Sequence, residues 1–333
     1  MNNSLADILK GRKVLFITTK NIDYIRNVQE IGIIKENAEL SYEIYSNQKS
    51  YWKRIIDVWM QLVQFNIDNI DVIYIGFAPQ LFFPLFYKKF RRKFIIIDFF
   101  ISVYDTLVND RKKFKAGGFI AKFCHFIDVK TLKKADHVIT DTKADTKYFA
   151  EEFESNENKF ETLYMKADSS IYYPRVQNKR ADLQNKFVVL YFGSILPLQG
   201  VDVVLDTVKL LKEKNEIFFQ IIGPISNKYS KPVQDNVEYI DWLSQEELAG
   251  YIANADLCLA GHFNGEIDKA RRTIPGKAFI YSEMERPMIL GDNEANKELF
   301  KEDAKVMYVK MGNSIDLKNA IIYIQVKYQK GEE

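Results

Sequence analysis

The sequence lacks any apolar run long enough to cross a membrane. Its longest candidates are residues 75–86 and 94–103, and the second contains Asp98. Both fall short of the roughly 18 uncharged apolar residues that a membrane-spanning helix needs. Residues 1–10 are polar and contain no apolar signal core. We therefore predict neither a membrane span nor a secretory signal.

The chain is also poor in cysteine and histidine, because it contains two cysteines and three histidines. Their spacing matches no metal-ligand pattern, and no Asp-x-Asp string is present to chelate a divalent ion. Cys124 lies in an aromatic stretch and Cys258 in an apolar run, so we expect both to be buried and reduced. Reduced thiols are typical of a cytosolic protein.

The 333 residues exceed one ordinary core, which predicts about two domains. Hydrophobic residues make up 47% of the chain, the composition of a folded protein. The net charge of +2 gives no electrostatic reason to predict nucleic-acid binding.

Short apolar, β-rich runs alternate with helical patterns along almost the whole chain. In the first half, we predict strands at residues 14–18, 41–45, 72–75, 94–97, 138–140 and 161–164. Residues 51–67 are the clearest helical pattern, because apolar residues recur there every three or four positions. Apolar strands separated by helices predict a parallel sheet that is covered on both faces.

Residues 168–186 interrupt this alternation. They are polar, contain Pro174 and have no apolar period, which predicts an interdomain linker. A second series follows, with strands predicted at residues 187–192, 218–222, 237–240, 257–260 and 288–290, and a final amphipathic helix at 315–328. We therefore predict two Rossmann-like domains, residues 1–170 and 171–333. Their ligands would bind beyond the carboxyl ends of the strands.

Residues 191–202 contain a glycine-bearing loop between a predicted strand and a predicted helix. Gly193 ends the strand, Ser194 and Gln199 lie in the loop, and Gly200 precedes the helix. Glycine lets a ligand approach the backbone, and free N–H groups at a helix start favour an anion. An ordinary strand–helix turn explains the same spacing equally well.

Residues 271–279 combine two cations with a helix start. Pro275 suits the beginning of a helix, and Arg272 and Lys277 flank it. Such a turn can hold a diphosphate and stabilise its charge as it leaves. The alternative is a solvated basic turn. Residues 286–300 repeat the order strand, turn and helix, and place Glu294 at the helix start.

Together these segments resemble family 4 glycosyltransferases, in particular a bacterial branch with a Phe-Gly-x-x-x-Pro-Leu-x-Gly-Val loop. The branch continues with Arg-x-Ile-Pro-x-Lys-x-Phe-Glu and Lys-Pro-x-Ile-x-Gly-Asp. The resemblance extends to residues 241–243 and 251–259. In the family the first of these segments lies near the nucleotide base, which implies a base contact for Trp242.

This resemblance implies an α/β protein of the GT-B fold, in which the parallel sheets of two Rossmann-like domains face a central cleft. In such folds the last helix often crosses back onto the first domain. The resemblance implies a retaining transfer of a hexosyl group from a UDP- or GDP-sugar to a glycan or polyprenyl-linked acceptor, in bacterial surface polysaccharide or glycoconjugate synthesis. We predict no metal and no cofactor apart from this nucleotide-sugar substrate.

The first half resembles the same branch from Asp98 through residue 111 and again at residues 135–142. This half faces the acceptor in GT-B enzymes. The resemblance therefore implies that Asp98, at a strand end, orients an acceptor hydroxyl, and that Asp105 lies near it. For each carboxylate the alternative is a helix cap or a partner for a nearby cation.

Residues 86–134 are basic and aromatic, with 13 Lys and Arg against 4 Asp and Glu. This composition suits an anionic membrane surface. It also occurs in nucleic-acid-binding segments, but the chain contains no recognised nucleic-acid module. We predict a cytoplasmic protein that attaches peripherally to the inner face of the membrane, and no nucleic-acid partner.

The chain departs from the family at the donor site. Ser194 and Gln199 stand where many members have Arg and Lys, and Ile280 stands where a Glu usually binds the ribose. Glu283, about one helical turn later, is either a substitute or an exposed surface residue. These departures leave a second hypothesis open, an inactive GT-B subunit that supports a partner glycosyltransferase. A GT-B-fold epimerase is a weaker third, because the acidic and histidine residues that it needs are not found.

Overall fold

A computed structural model describes residues 4–193 and 196–331. The chain divides into two compact units; the first ends at Lys166 and the second begins at Ala167. Each unit contains a six-stranded sheet, and every strand pairing described in either sheet is parallel. This confirms the predicted α/β class with two parallel-sheet units.

The first unit is built on the sheet β2-β1-β3-β4-β5-β6. Its strands are β1 (Lys13–Ile17), β2 (Leu40–Ile44), β3 (Val72–Ile75), β4 (Phe94–Asp98), β5 (His137–Thr140) and β6 (Phe160–Thr162). Its helices are α1 (Leu5–Leu9), α2 (Ile25–Asn37), α3 (Tyr51–Gln64), α4 (Phe83–Phe90), α5 (Phe119–Lys134) and α6 (Lys143–Glu152), with a π-helical turn at Asp105–Asp110.

Helices cover both faces of this first sheet. One apolar cluster joins α3, α4, α5 and α6 to side chains such as Ile73, Ile75 and Ile97. A second cluster joins α1 and α2 to the alternate strand positions, such as Val72 and Tyr74. Side chains alternate along a strand, so the two clusters lie on opposite faces of the sheet. The outer sides of α3, α4 and α5 therefore belong to one face of the unit.

The second unit is built on the sheet β12-β11-β10-β7-β8-β9. Its strands are β7 (Phe187–Phe192), β8 (Ile217–Ile222), β9 (Val237–Ile240), β10 (Leu257–Gly261), β11 (Met288–Gly291) and β12 (Val306–Val309). Its helices are α7 (Val201–Leu210), α8 (Gln245–Asn254), α9 (Lys269–Arg272), α10 (Gly276–Glu283), α11 (Glu294–Leu299) and α12 (Ser314–Lys330). Leu317 and Ile321 of α12 pack into the core of this unit.

The segment predicted as a linker is attached to the second unit along much of its length. Tyr172 is buried in that unit's core. Lys179 forms an ion pair with Asp256, and Arg180 forms one with Glu238 at 2.9 Å. Residues 172–180 therefore belong structurally to the second unit.

Two negative expectations can be compared with the described residues. None of the helices in residues 4–193 and 196–331 is both long and apolar enough to span a membrane. Cys124 and Cys258 are both buried and unpaired, as predicted.

A buried ionic cluster attaches α2 to the end of β4. Arg26 donates from Nε to Asp98 Oδ2 at 2.9 Å and from Nη2 to Asp98 Oδ1 at 3.1 Å. Glu30 and Asp141 lie 3.7 and 3.3 Å from the same guanidinium. Burial opposes the charge on Arg26, but Asp98 and Asp141 outweigh it and raise the Arg26 pKa well above its usual value. Because Arg26, Glu30 and Asp98 are shielded from water, the cluster is stable only as a set.

Replacing Arg26 with Met should lower the free energy of unfolding of the first unit by about 3–5 kcal/mol, because the buried carboxylates lose their counter-charge. Urea unfolding followed by amide hydrogen exchange in β4 would measure the loss.

Lys35→Met on the same helix is the matched control. Lys35 pairs with Glu43 at 2.9 Å but is more than half exposed, so its loss should cost about 1 kcal/mol or less. Equal stability of the two variants would contradict the structural role given to Arg26.

Candidate functional site

Glycine marks the carboxyl ends of four neighbouring strands in the second sheet. Gly193 follows β7, Gly223 follows β8, Gly261 ends β10 and Gly291 ends β11. In the sheet these strands lie side by side in the order β11-β10-β7-β8. Ligands of parallel α/β sheets bind at this edge, and the missing side chains let them approach the backbone.

The space beside Gly193 is occupied by two predicted donor-site residues. A Cβ at position 193 would overlap Gln199 Oε1 and lie 2.9 Å from Lys277 Nζ. A Cβ at Gly223 would overlap the carbonyl oxygen of Gly193. The structure therefore brings Gly193, Gln199 and Lys277 together. Ser194, which was predicted with them, lies outside the described residues.

Gly200 serves the same loop by its backbone. It has φ +67° and is the N-cap of α7. A Cβ there would lie 2.5 Å from the amide nitrogen of Asn264. The left-handed conformation and the close approach both favour glycine, so its presence has a structural explanation beside the predicted ligand contact.

Lys277 is the central charged group of this edge. It lies in the first turn of α10 and is only 5% exposed. Its Nζ donates to Gln199 Oε1 at 3.3 Å and stands 4.1 Å from the ring centroid of Tyr191. The Tyr191 hydroxyl donates to the same Gln199 oxygen at 3.1 Å. Burial lowers the pKa of Lys277 to about 7.

His262 was missed by the sequence interpretation and lies directly after β10. Burial, with Lys277 and Lys269 nearby, lowers its pKa to about 3. Its Nδ1 is buried and has no hydrogen-bond partner among the described residues. A neutral imidazole with one unused nitrogen is therefore part of this strand edge. Its position after the predicted strand 257–260 was the signal that could have found it.

Arg272 lies five residues before Lys277 and is also buried, but its guanidinium already binds a carboxylate. It ends α9, is 7% exposed and donates from Nε to Asp268 Oδ2 at 3.0 Å. The turn after it is fixed by the Thr273 hydroxyl, which donates to the Lys269 carbonyl oxygen at 2.9 Å. Pro275 then caps α10. The alternative of a solvated basic turn does not fit these two cations, which are both buried.

The carboxylates predicted for the ribose side lie on the surface of the second unit. Ile280 packs against the apolar core through α10, as a partly buried side chain. Glu283 is the last residue of α10 and is exposed. The six residues from Lys277 to Glu283 correspond to about 9 Å along a helix. A ribose contact by Glu283 stays a prediction.

Glu294 and Trp242 also stay predictions as donor contacts. Glu294 is the first residue of α11 and is exposed, while Asn293, the N-cap, accepts from the amide nitrogen of Asn296 at 2.7 Å. Trp242 follows β9, at the same carboxyl edge of the sheet, and is 77% exposed. An exposed indole at that edge is available for stacking.

In the first unit, both predicted catalytic carboxylates already have partners. Asp98 is bound on both oxygens by Arg26, whose part sequence reasoning missed because it lies 72 residues away. Asp105 is buried and accepts from Asn109 Nδ2 at 3.1 Å and from the Tyr148 hydroxyl at 3.4 Å. The contacts of Asp98 match the alternative of a partner for a cation, and the catalytic assignment of either residue stays a prediction.

Side chains of the metal-ligating types do not form a site in the part of the chain that the structure describes. No group of three or more His, Cys, Asp or Glu residues there is arranged to hold a metal ion. The charge that faces the glycine-lined edge is that of Lys277.

Comparisons with known proteins agree with this architecture. Residues 186–325 match the family described as Glycosyl transferases group 1. No curated protein sequence matches the chain.

Solved structures match nearly the whole chain. Sucrose-phosphate synthase from Thermosynechococcus elongatus superposes with a TM-score of 0.68 at 11% identity, covering 96% of this chain and 91% of its own. Anabaena HepE in complex with UDP-glucose gives 0.62 at 13%, with 96% and 91% covered. A glycosyltransferase from Rickettsia africae gives 0.60 at 13%, with 96% and 89% covered.

At these identities the solved structures establish the fold, and the family match identifies the second unit. The first unit has the second Rossmann-like sheet that this fold requires. The chain therefore has the two-domain α/β fold called GT-B, and residues 186–325 of its second unit match the group 1 glycosyl transferases.

Proposed function

We propose that this chain transfers a hexosyl group, with retention, from a UDP- or GDP-sugar to a glycan or polyprenyl-linked acceptor in bacterial surface polysaccharide or glycoconjugate synthesis. The observation that carries the proposal is Lys277. Its amine is buried at the glycine-lined edge of the second sheet, and no carboxylate among the described residues forms an ion pair with it.

A buried amine without a carboxylate is costly for the free protein. Burial disfavours its charged form, which is why the pKa of Lys277 falls to about 7. Strongly perturbed groups of this kind cluster at functional sites. An incoming diphosphate supplies the missing negative charge, so binding reverses the cost of burial.

The same position suits the chemistry of transfer. When the bond between sugar and diphosphate breaks, negative charge grows on the leaving phosphate oxygen. A fixed ammonium in a site shielded from water stabilises that charge without reorganising. Gln199 holds the Lys277 amine in place through its 3.3 Å hydrogen bond, and the missing side chain of Gly193 leaves room for both of these side chains at the strand end.

His262 offers a different contact at this edge. Because it is neutral near pH 7, it adds no repulsion to Lys277. Its buried Nδ1 has no partner among the described residues and is suited to a hydrogen bond with a hydroxyl group of the nucleotide sugar. HepE binds UDP-glucose, which supports a UDP-hexose as the first donor to test.

The acceptor side of the proposal depends on the first unit. Of the aromatic residues in the basic region 86–134, Phe86 and Phe90 are buried in the core, whereas Phe119, Phe123 and Phe126 of α5 are exposed. Exposed aromatic residues beside lysines favour attachment to an anionic membrane surface. This supports a cytoplasmic enzyme at the inner membrane face that uses a lipid-linked acceptor.

An inactive subunit remains the second candidate, and Ile280 favours it. A partly buried apolar side chain stands where the family has a ribose-binding Glu. Calorimetry with a panel of UDP- and GDP-sugars and the free diphosphates separates the two functions. We expect at least one of these compounds to bind. If none of them binds, the supporting subunit is the better explanation.

Lys277→Met should weaken nucleotide-sugar binding by roughly 10- to 100-fold, because a charge-assisted contact to phosphate is lost while the side-chain volume is kept. The double variant Lys277→Ala with Arg272→Ala should abolish transfer. Calorimetry measures the first effect and a product assay the second.

Lys209→Met is the matched control, because Lys209 is an exposed lysine of α7 that pairs only with Asp206 in the described residues. It should bind the donor as the unchanged protein does. Circular dichroism must show that the Lys277 and Arg272 variants remain folded. Near-normal turnover by a folded double variant would refute the donor site.

Donor affinity should also depend on pH. The protonated amine binds the diphosphate, so affinity is full below the free pKa of about 7 and falls as pH rises through it. From about pH 6 to about pH 8 we expect a loss of roughly tenfold. A nucleotide sugar is the right probe, because its phosphates are esterified and do not titrate in this range.

Calorimetry in buffers of different ionisation enthalpy would detect the proton taken up on binding near pH 8. Lys277→Met should remove both the uptake and the pH dependence. An affinity that is flat across this range in the unchanged protein would show that Lys277 does not bind the phosphates as a cation.

A further inference from the structure

Helix α3 is apolar on its outer side as well as on its inner side. Ile55, Val58 and Leu62 face the core and are buried. The outer stripe is Trp52, Ile56, Met60 and Val63, whose side chains are 73%, 53%, 54% and 70% exposed. Their spacing of three and four residues places them on one side of the helix. The outer side of a surface helix is usually polar, so this exposed apolar stripe is unusual.

Helix α4 extends this stripe. Leu85 is 59% exposed, and a groove of about 460 Å³ lies between it and the α3 side chains Ile56, Met60 and Val63. The end of α4 is attached to the end of α3 by Lys89, whose Nζ donates to the carbonyl oxygen of Phe65 at 2.7 Å. The apolar stripe and the end of α4 are therefore one fixed surface.

A group of cations adjoins the apolar stripe. Lys88, Arg91 and Arg92 are exposed and form no ion pair with any described residue. They line a second depression, and Val63 and Gln64 line both it and the apolar groove. From Phe83 to Lys93 the chain contains five cations and no carboxylate. Apolar and cationic contacts are thus offered side by side.

This combination fits the interface of an anionic bilayer better than other occupants. Lipid headgroups supply phosphates to the cations, while the adjoining acyl region accepts the apolar stripe, and tryptophan favours that depth. A nucleic acid would satisfy the cations but leave the stripe in water. A protein partner would have to bring matching carboxylates. Helix α5, with its exposed phenylalanines, packs on the same face of the first sheet.

We propose that α3 and the end of α4 dock this chain on an anionic bilayer, with Trp52, Ile56 and Val63 entering the interface and Lys88, Arg91 and Arg92 binding lipid phosphates. The proposal deepens, and rests on, the membrane attachment proposed above. It adds α3, which lies outside the basic region 86–134, assigns lipid contacts to three cations within that region, and names the lipid charge that they require.

Vesicle sedimentation at low salt tests the proposal. The protein should bind vesicles of equal parts phosphatidylglycerol and phosphatidylcholine, and it should bind vesicles of phosphatidylcholine alone much more weakly. The α3 variant, Trp52→Ser with Ile56→Ser and Val63→Ser, should lose at least about tenfold in partitioning. The cation variant, Lys88→Gln with Arg91→Gln and Arg92→Gln, should lose on the order of 100-fold, at roughly fivefold for each cation.

Two comparison variants make the result specific. Val176→Ser with Val233→Ser removes two apolar side chains that are almost fully exposed in the second unit, and should bind vesicles normally. The α5 variant, Phe119→Ser with Phe123→Ser and Phe126→Ser, tests the region proposed earlier. All substituted side chains are exposed, so unfolding temperatures should be unchanged, and UDP-sugar affinity in solution should be unchanged in the α3 variant.

The outcomes separate the two proposals. If the α3 variant binds anionic vesicles as the unchanged protein does while the α5 variant loses binding, the inference falls and the attachment through region 86–134 stands. A second result would also overturn the inference: the unchanged protein does not bind vesicles but self-associates, and the α3 variant is monomeric by sedimentation velocity. In that case a second copy of the chain covers the stripe. The inference is supported if the α3 variant and the cation variant lose vesicle binding, the comparison variants keep it, and the affinity for the UDP-sugar is unchanged.

Discussion

The burial of one amine organises the carboxyl edge of the second sheet. Lys277 reaches that edge from α10, and its Nζ and the amide of Gln199 fill the space where a side chain at position 193 would lie. The backbone of Gly193 in turn excludes a Cβ at position 223. The glycine at position 193 therefore accommodates the Lys277 amine and the Gln199 amide, and the glycine at position 223 accommodates the backbone of Gly193. Lys277 forms no ion pair with a carboxylate of the described residues, and burial lowers its pKa to about 7, so an anion bound beside it would favour its charged form.

The first unit compensates a buried cation internally. Arg26 is buried as deeply as Lys277, but Asp98 binds its guanidinium twice and Asp141 lies 3.3 Å from it. An arginine neutralised in this manner has no charge left for a ligand, and its carboxylates cannot be removed singly without leaving the others unbalanced. Asp98 therefore stabilises the strand end where the family resemblance implies acceptor binding. The two units differ in whether the buried cation's partner is internal or must come from outside.

Several elements follow directly from the sequence, whereas their partners do not. Strand β3 occupies the predicted residues 72–75, because a run of β-branched residues between helices has few other ways to be buried. Strand β12 was not predicted, although its four residues form a short apolar run after a charged stretch. The partnership of Arg26 with Asp98 joins residues 72 positions apart, which no local pattern reveals. His262 has a local signal, its place after a strand, but its buried nitrogen is visible only in three dimensions.

The α3 stripe shows a different limit of sequence patterns. Periodicity identifies a helix and its buried side when the other side is polar. On α3 both sides are apolar, so residues 51–67 predict the helix correctly but cannot say that Trp52 and Val63 face water. Only the packing of Val58 and Leu62 against the first sheet separates the two sides. Contiguous exposed apolar side chains of this kind mark surfaces that bind a partner or a membrane. The cations at the end of α4 make an anionic lipid surface the partner of matching chemistry. In the arrangement that we propose, the first unit meets the bilayer and the second binds the donor, so each property can be altered without the other.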